Sequence, residues 1–193
     1  MKILNADGTL VIVQNVRLSY LYVFRPRKNE LRGGEEEYSC TLLIPKTPNA
    51  FCPDPESTLK GIREASQKAL IAKFKEVPKK YADCLLDGDI ETDTEGELKH
   101  PGYWFISIRA GVEYPPVLLD AKRAPVLDAR AWVSGDWGNV KISFFGYEFE
   151  KKKGVSGGLR AIQFTKKDAP FGSEQNPEAV AKEFDDVEED FLS

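Results

Sequence analysis

The sequence predicts a mainly β protein: a modified OB-fold barrel with one inserted α-helix and a disordered acidic C-terminal tail. Three observations carry this. Five to seven short segments alternate apolar with polar residues and are rich in β-branched and aromatic side chains. One amphipathic helical stretch interrupts them, and seven acids crowd the last sixteen residues. A β-sandwich is the main structural alternative. The 193 residues fit one domain, 1–172, with an appendage, 173–193.

The elements follow in order. Residues 10–24 are dominated by Val, Ile, Leu and Tyr and read as one long strand, bent near Gln14-Asn15. Residues 25–37 contain Pro26, Gly33-Gly34 and many charges, and read as a long exposed loop. Residues 38–44 form a second strand that ends at Pro45. Asp54 then Pro55 is a helix start, a capping carboxylate followed by a proline at the first helical position. Leu59, Ile62, Leu70 and Phe74 make the apolar stripe, and Pro78 ends the helix. Residues 79–102 are polar and turn-rich. A strand follows at 103–110, then an extended connection bearing Pro115 and Pro116. Residues 129–149 read as two strands joined around Ser134 to Gly138, 151–158 as a basic glycine-rich loop, and 159–164 as the last strand.

Net charge is −4, which taken alone argues against a nucleic-acid binder. Its distribution changes the picture. Residues 178–193 hold seven acids and one lysine, leaving residues 1–177 with 26 basic and 24 acidic side chains. The acidity sits in the tail and the body is mildly basic. No run approaches the roughly 18 apolar residues of a membrane span, and Met1 to Asn5 do not open a signal peptide. The expected location is the cytoplasm of the cell in which the protein is made. Cys40, Cys52 and Cys84 are odd in number and widely spaced, which disfavours a disulfide framework.

Strand alternation assigns faces. On 103–109, Trp104, Ile106 and Ile108 form an apolar core face, opposite Tyr103, Phe105, Ser107 and Arg109. On 139–147, Val140, Ile142 and Phe144 oppose Asn139, Lys141, Ser143, Phe145 and Tyr147. Arg130 and Trp132 share a face, and Arg17 lies opposite Val16 and Leu18. An outer face of aromatics, amides and cations is what an unpaired nucleic-acid strand needs. Bases stack on rings at about 1–3 kcal/mol each, and cations replace the counterions released from phosphates. Arg25, Arg27, Lys28 and Arg32 from the first loop, and Lys151, Lys152 and Lys153 from the last, would flank such a face. Glu30 and Glu35 to Glu37 count against the first group.

In the tail, Asp185, Asp186, Glu188, Glu189 and Asp190 lie between Phe184 and Phe191. Seven acids in sixteen residues resist folding. The apolar anchors favour a tail that mimics DNA in the basic groove and then docks on a partner, over a mere solubility tail. An enzyme is not expected. His100 is read as an exposed loop histidine without a nucleophile beside it, and Asp87, Asp89, Glu91 and Asp93 lack the ligand order of an EF-hand. No cofactor and no metal are expected.

The ordered series RLSY (17–20), YSCTLLIPK (38–46), LLDGDIE (85–91), PGYWFISIRAG (102–111), PPVLLD (115–120), WVSGDWGNVKISFFGYEF (132–149) and KGVSGGLRAIQF (153–164) resembles a phage single-stranded-DNA-binding family first catalogued as a domain of unknown function. The resemblance covers nearly all of 10–172. It implies a modified OB-fold with an unstructured acidic C-terminal segment, and a replicative single-strand binder similar to those of short-tailed coliphages. Those proteins typically end in an aromatic residue, whereas here Leu192 and Ser193 follow Phe191. The implied partners are single-stranded DNA and, through the tail, replication proteins such as a polymerase, helicase or primase. An edge strand or the tail could also mediate a homodimer. Rapid annealing of complementary strands is a neighbouring activity. The reading from another class is an acidic host-protein inhibitor without DNA affinity, and the mildly basic body argues against it.

Overall fold

The computed structural model describes residues 1–29 and 33–171. The elements are β1 (Lys2–Ile3), β2 (Leu10–Asn29), β3 (Glu35–Pro45), α1 (Pro55–Phe74), β4 (Leu86–Asp87), β5 (Tyr103–Gly111), β6 (Val117–Leu119), β7 (Trp137–Phe149) and β8 (Lys152–Lys166). The long strands pair in the order β5-β3-β2-β7-β8, and a parallel contact between Arg109 of β5 and Gly158 of β8 closes them into a mixed barrel. This is the OB-like barrel with one helix that the strand count implied.

Alternation fills the interior. Val11, Val13, Val16 and Leu18 of β2 meet Cys40, Leu42 and Ile44 of β3, Ile106 and Ile108 of β5, and Val140, Ile142 and Phe144 of β7. The expected bend in β2 is present: Asn15 has φ 56° and the pairing with β7 shifts register between Val13 and Val16. A bulge of this kind turns the strand around the barrel wall.

Three expectations need correction. The loop at 25–37 is largely strand, because β2 runs on to Asn29 and pairs with β3 from Glu35. The charges that suggested a loop face each other across the ladder, Arg27 with Glu37 and Lys28 with Glu36. Opposite charges on paired strands stabilise the pairing. The basic stretch 151–158 is likewise strand from Lys152 onward. The turn is made at Glu150 and Lys151, with φ of 47° and 65°. Conversely, residues 129–133 form no strand, since that segment turns through Asp128 and leads into β7 at Trp137.

Helix α1 begins as expected. The Asp54 carboxylate accepts from the Ser57 amide at 3.0 Å and Pro55 occupies the first turn. Lys75 closes the helix in the left-handed conformation, and its amide donates to Ile71. Leu59, Ile62, Ala65, Ala69 and Leu70 are buried against the barrel. The helix passes so close to β7 that a Cβ at Gly146 would lie 2.8 Å from Cβ of Lys73. That contact sets the end of α1 beside the β7–β8 hairpin.

Burial pushes the Cys40 thiol up to about 12 and the Cys84 thiol up to about 11, and it raises Cys52 as well. At pH 8 less than about one in a thousand of the first two is thiolate, the reactive form. The folded protein should therefore react with a thiol reagent far more slowly than the urea-unfolded chain. Equal rates in the two states would contradict this burial.

Candidate nucleic-acid interface

On the outside of the barrel, β5, β7 and β8 border a groove of about 860 Å³. Its floor is Ser107 and Arg109 of β5 with Ser156 and Gly157 of β8. One wall is Phe145, Tyr147 and Phe149, which follow at every second position of β7 and so share its outer face. Phe145 is 48% and Phe149 67% exposed, unusual values for large apolar side chains at a concave site. Tyr147 lies over Gly154, its cross-strand partner, where a Cβ would come within 2.5 Å of the ring. The opposite wall is Asp83, Cys84 and Leu86. Glu35, beside the turn at the tip of the β2–β3 arm, bounds one end.

The groove gathers Arg109, Phe145 and Tyr147 from the residues that alternation singled out. It adds Phe149, which the same two-residue period marks one step further on. The β2–β3 arm carries Arg27 over the Tyr22 ring at 4.7 Å, and Glu37 of the arm lies 3.9 Å from the Arg109 guanidinium. Arg25 and Lys28 are exposed on the arm, and Lys28 falls on the face opposite Arg27. Lys151, Lys152 and Lys153 lie beyond the groove at the hairpin tip. Lys141 is on the outer face of β7 but pairs with Ile12 and Ala161, away from the groove. Arg130 is exposed in the 128–136 turn region. Arg32 and the tail residues Phe184 to Phe191 lie outside the described residues.

Four expected contact residues are occupied elsewhere. Arg17 donates to the Gly135 carbonyl at 2.9 Å, the Tyr103 hydroxyl at 3.2 Å and the Ala169 carbonyl at 2.8 Å, and its guanidinium covers the Phe171 ring. Arg17 and Tyr103 thus fasten the chain at 168–171 to the barrel. Phe105 does face outward, but it is 4% exposed because the His100 ring packs on it at 4.9 Å. His100 is accordingly half-buried rather than exposed, and burial, then Lys99, lowers its pKa. Trp132 stacks on Phe164 at 4.7 Å, with Lys167 above its other face, and caps an end of the barrel. Trp104 lies under Lys46 and Arg63, and Trp137 stacks on Phe51. No tryptophan lines the groove.

The alternating acids at 87–93 have structural work. Asp87 and Asp89 both hold the Lys46 ammonium, Asp89 also accepts from the Gly102 amide at 2.6 Å, and Asp93 caps its own turn. These contacts keep both carboxyls below the usual range, with Lys46 the main cause. Among the described residues no cluster of three or more His, Cys, Asp or Glu is placed to hold a metal, and no helix is long and apolar enough to cross a membrane.

A family model for the single-stranded-DNA-binding protein of Enterobacter phage Enc34 matches residues 9–192. The solved structure of the bacteriophage Enc34 protein in complex with single-stranded DNA superposes with a TM-score of 0.70 at 27% identity, covering 86% of this chain and 90% of that one. The Enc34 protein solved on its own gives 0.65 at 26% identity, covering 91% and 90%. At 15% identity and a TM-score of 0.53, gp2.5, a single-stranded-DNA-binding protein encoded by bacteriophage T7, shares the fold over 95% of this chain and 96% of its own. No protein with a curated description matches. With an OB-like barrel, an aromatic groove and a family match over nearly its whole length, this chain belongs to the family of the Enc34 phage single-stranded-DNA-binding protein, a non-enzymatic one.

Proposed function

We propose that the chain binds single-stranded DNA along the β5–β7–β8 groove, without base preference, in phage DNA replication and recombination in the host cytoplasm. The observation that carries this is the row Phe145, Tyr147 and Phe149 on one strand face, open to a groove with Arg109 at its floor. Three successive rings can take successive bases, and every base has a π-face, so stacking tolerates any sequence. Ser107 and Ser156 offer hydroxyls to the sugar-phosphate backbone. The likeness to a protein solved in complex with single-stranded DNA supports that ligand for this chain.

The acidic residues 178–193 complete the proposal. They compete with DNA for the basic surface and, once displaced, present Phe184 and Phe191 among carboxylates to a replication protein. Such a tail lowers apparent affinity at low salt, where its charges are least screened.

Anisotropy of a labelled homopyrimidine oligonucleotide tests this, with the full chain and with a truncation ending at Pro177. Intrinsic tryptophan emission is a poor reporter because no tryptophan borders the groove. Binding should weaken linearly on a log–log plot as salt rises, and the truncation should bind more tightly. No single-strand binding by either protein would end the proposal. Equal affinities would end only the part assigned to the tail.

A further inference from the structure

The aromatic groove is short of positive charge. Three carboxylates line it, from Glu35, Asp83 and Glu148, against one guanidinium, that of Arg109. Stacking can hold bases there, but a polyanion gains little from such a balance.

The missing charge lies next door. A second cleft, of about 670 Å³, is lined by Lys79 and Lys80 on one side and Lys151, Lys152 and Lys153 on the other, with Glu76 as its one acid. The two cavities are bordered by neighbouring stretches of the same two chain segments. Asp83 and Cys84 border the groove while Tyr81 and Ala82 border the cleft; Tyr147 to Phe149 border the groove while Lys151 to Lys153 border the cleft.

The backbone holds the two lysine groups together. The Ala82 amide donates to the Lys153 carbonyl at 2.9 Å, and the Val155 amide donates to the Ala82 carbonyl at 3.0 Å. The chain after α1 is thereby stitched to β8, and the seat of α1 on Gly146 fixes where that chain starts. Lys153 packs over the Phe74 ring at 4.8 Å, while the other four lysines are exposed. None of the five makes an ion pair with the described residues.

We propose that this cleft is a phosphate-binding extension of the DNA site: a single strand leaves the aromatic groove past Phe149 and lays its backbone between Lys79-Lys80 and Lys151-Lys152. The inference rests on the proposed groove and adds to it a path, a direction and a division of labour. Bases stack in the groove, and backbone charge is neutralised in the cleft. Lysine suits the second task because its ammonium is a point charge on a flexible stem that follows phosphates without reading bases.

The test uses the full chain and homopyrimidine oligonucleotides of about 4 and about 12 nucleotides, within the range one OB fold covers. The double variant Lys79→Gln/Lys80→Gln should bind the short strand within about twofold of the parent. On the long strand it should bind several-fold more weakly. Its salt slope there should be shallower by about 1.4, two contacts at about 0.7 each. The variant Lys151→Gln/Lys152→Gln, on the opposite wall, should do the same. Losses of equal size at both lengths, or unchanged slopes, would overturn the extension while leaving the groove intact. Tighter binding by the variants would overturn it too, by placing the acidic tail in the cleft. If the parent bound neither strand, groove and extension would fall together.

Discussion

Replacing Phe145 and Phe149 together by alanine is expected to weaken single-strand binding by about 100-fold without unfolding the protein. Each stacked base contributes about 1–3 kcal/mol on substitution of its ring. Two rings at the lower middle of that range give about 3 kcal/mol, or two decades in Kd. Phe149 is mostly exposed and Phe145 about half exposed, so far less packing is lost with them than with a core ring. The control is Phe105→Ala. Its ring is buried beneath His100, and truncating a buried Phe costs about 3–5 kcal/mol of stability. Phe105→Ala should lower the urea midpoint and leave the affinity of the remaining folded protein near the parent's. Anisotropy titrations and denaturation curves on the two proteins separate the effects. If Phe105→Ala lost affinity while Phe145→Ala/Phe149→Ala did not, the platform would have been put on the wrong strand.

The second large effect is expected at Asp136, which is 0% exposed. Its carboxylate accepts from the Val133 amide at 2.9 Å, the Asp168 amide at 3.3 Å and the Lys167 ammonium at 3.0 Å. It therefore ties the turn before β7 to the chain that leaves β8. Asp136→Ala strands two backbone amides and releases Lys167. Buried donors left without partners cost about 1–3 kcal/mol each. Because Lys167 is more than half exposed, its freed charge returns to water at little cost. Both bonds are part-buried and Val133 is 43% exposed, so the low end of that range applies: a loss of about 2 kcal/mol, read as a lower urea midpoint at unchanged slope. A change under about 0.5 kcal/mol would show that solvent reaches the turn and replaces the carboxylate.

The neighbouring Asp168 sets how this region responds to acid. It accepts from the Trp137 indole at 2.7 Å, and its side chain lies 3.6 Å from Arg17. The indole first, then the Ala169 amide and Arg17, hold its pKa below the usual carboxylate value. A carboxyl depressed in the folded state stabilises that state above its unfolded pKa, about 3.9, and stops doing so as pH falls through the folded value. The docking of 168–171 is therefore fully supported near neutrality and weakens only below about pH 4.

Much of this molecule is written locally in its sequence. A two-residue period marks Ile106 and Ile108, and Val140, Ile142 and Phe144, as interior, and the barrel buries all five. Asp54-Pro55 marks the start of α1, because a cap needs only its own turn. The separation of an acidic tail from a mildly basic body is a matter of counting.

What covers an outward face is not local. Alternation puts Phe105 and Phe145 on equal terms, yet a loop carrying His100 closes over one and leaves the other open. Trp132 looked like a platform residue and instead caps the barrel on Phe164, because residues 129–133 belong to no strand. The charges at 25–37 suggested a loop, and cross-strand pairing of Arg27 with Glu37 made them part of a ladder. Lys79-Lys80 and Lys151 to Lys153 are about seventy positions apart in the chain, and only the seat of α1 on Gly146 and the stitching of Ala82 to β8 bring them to one cleft. The sequence by itself determined which residues turn inward, where the helix starts and where the charge lies, since periodicity, capping and composition act over a few residues. The tertiary structure decided which outward residues stay accessible and which cations meet, since both depend on contacts between segments distant in the chain.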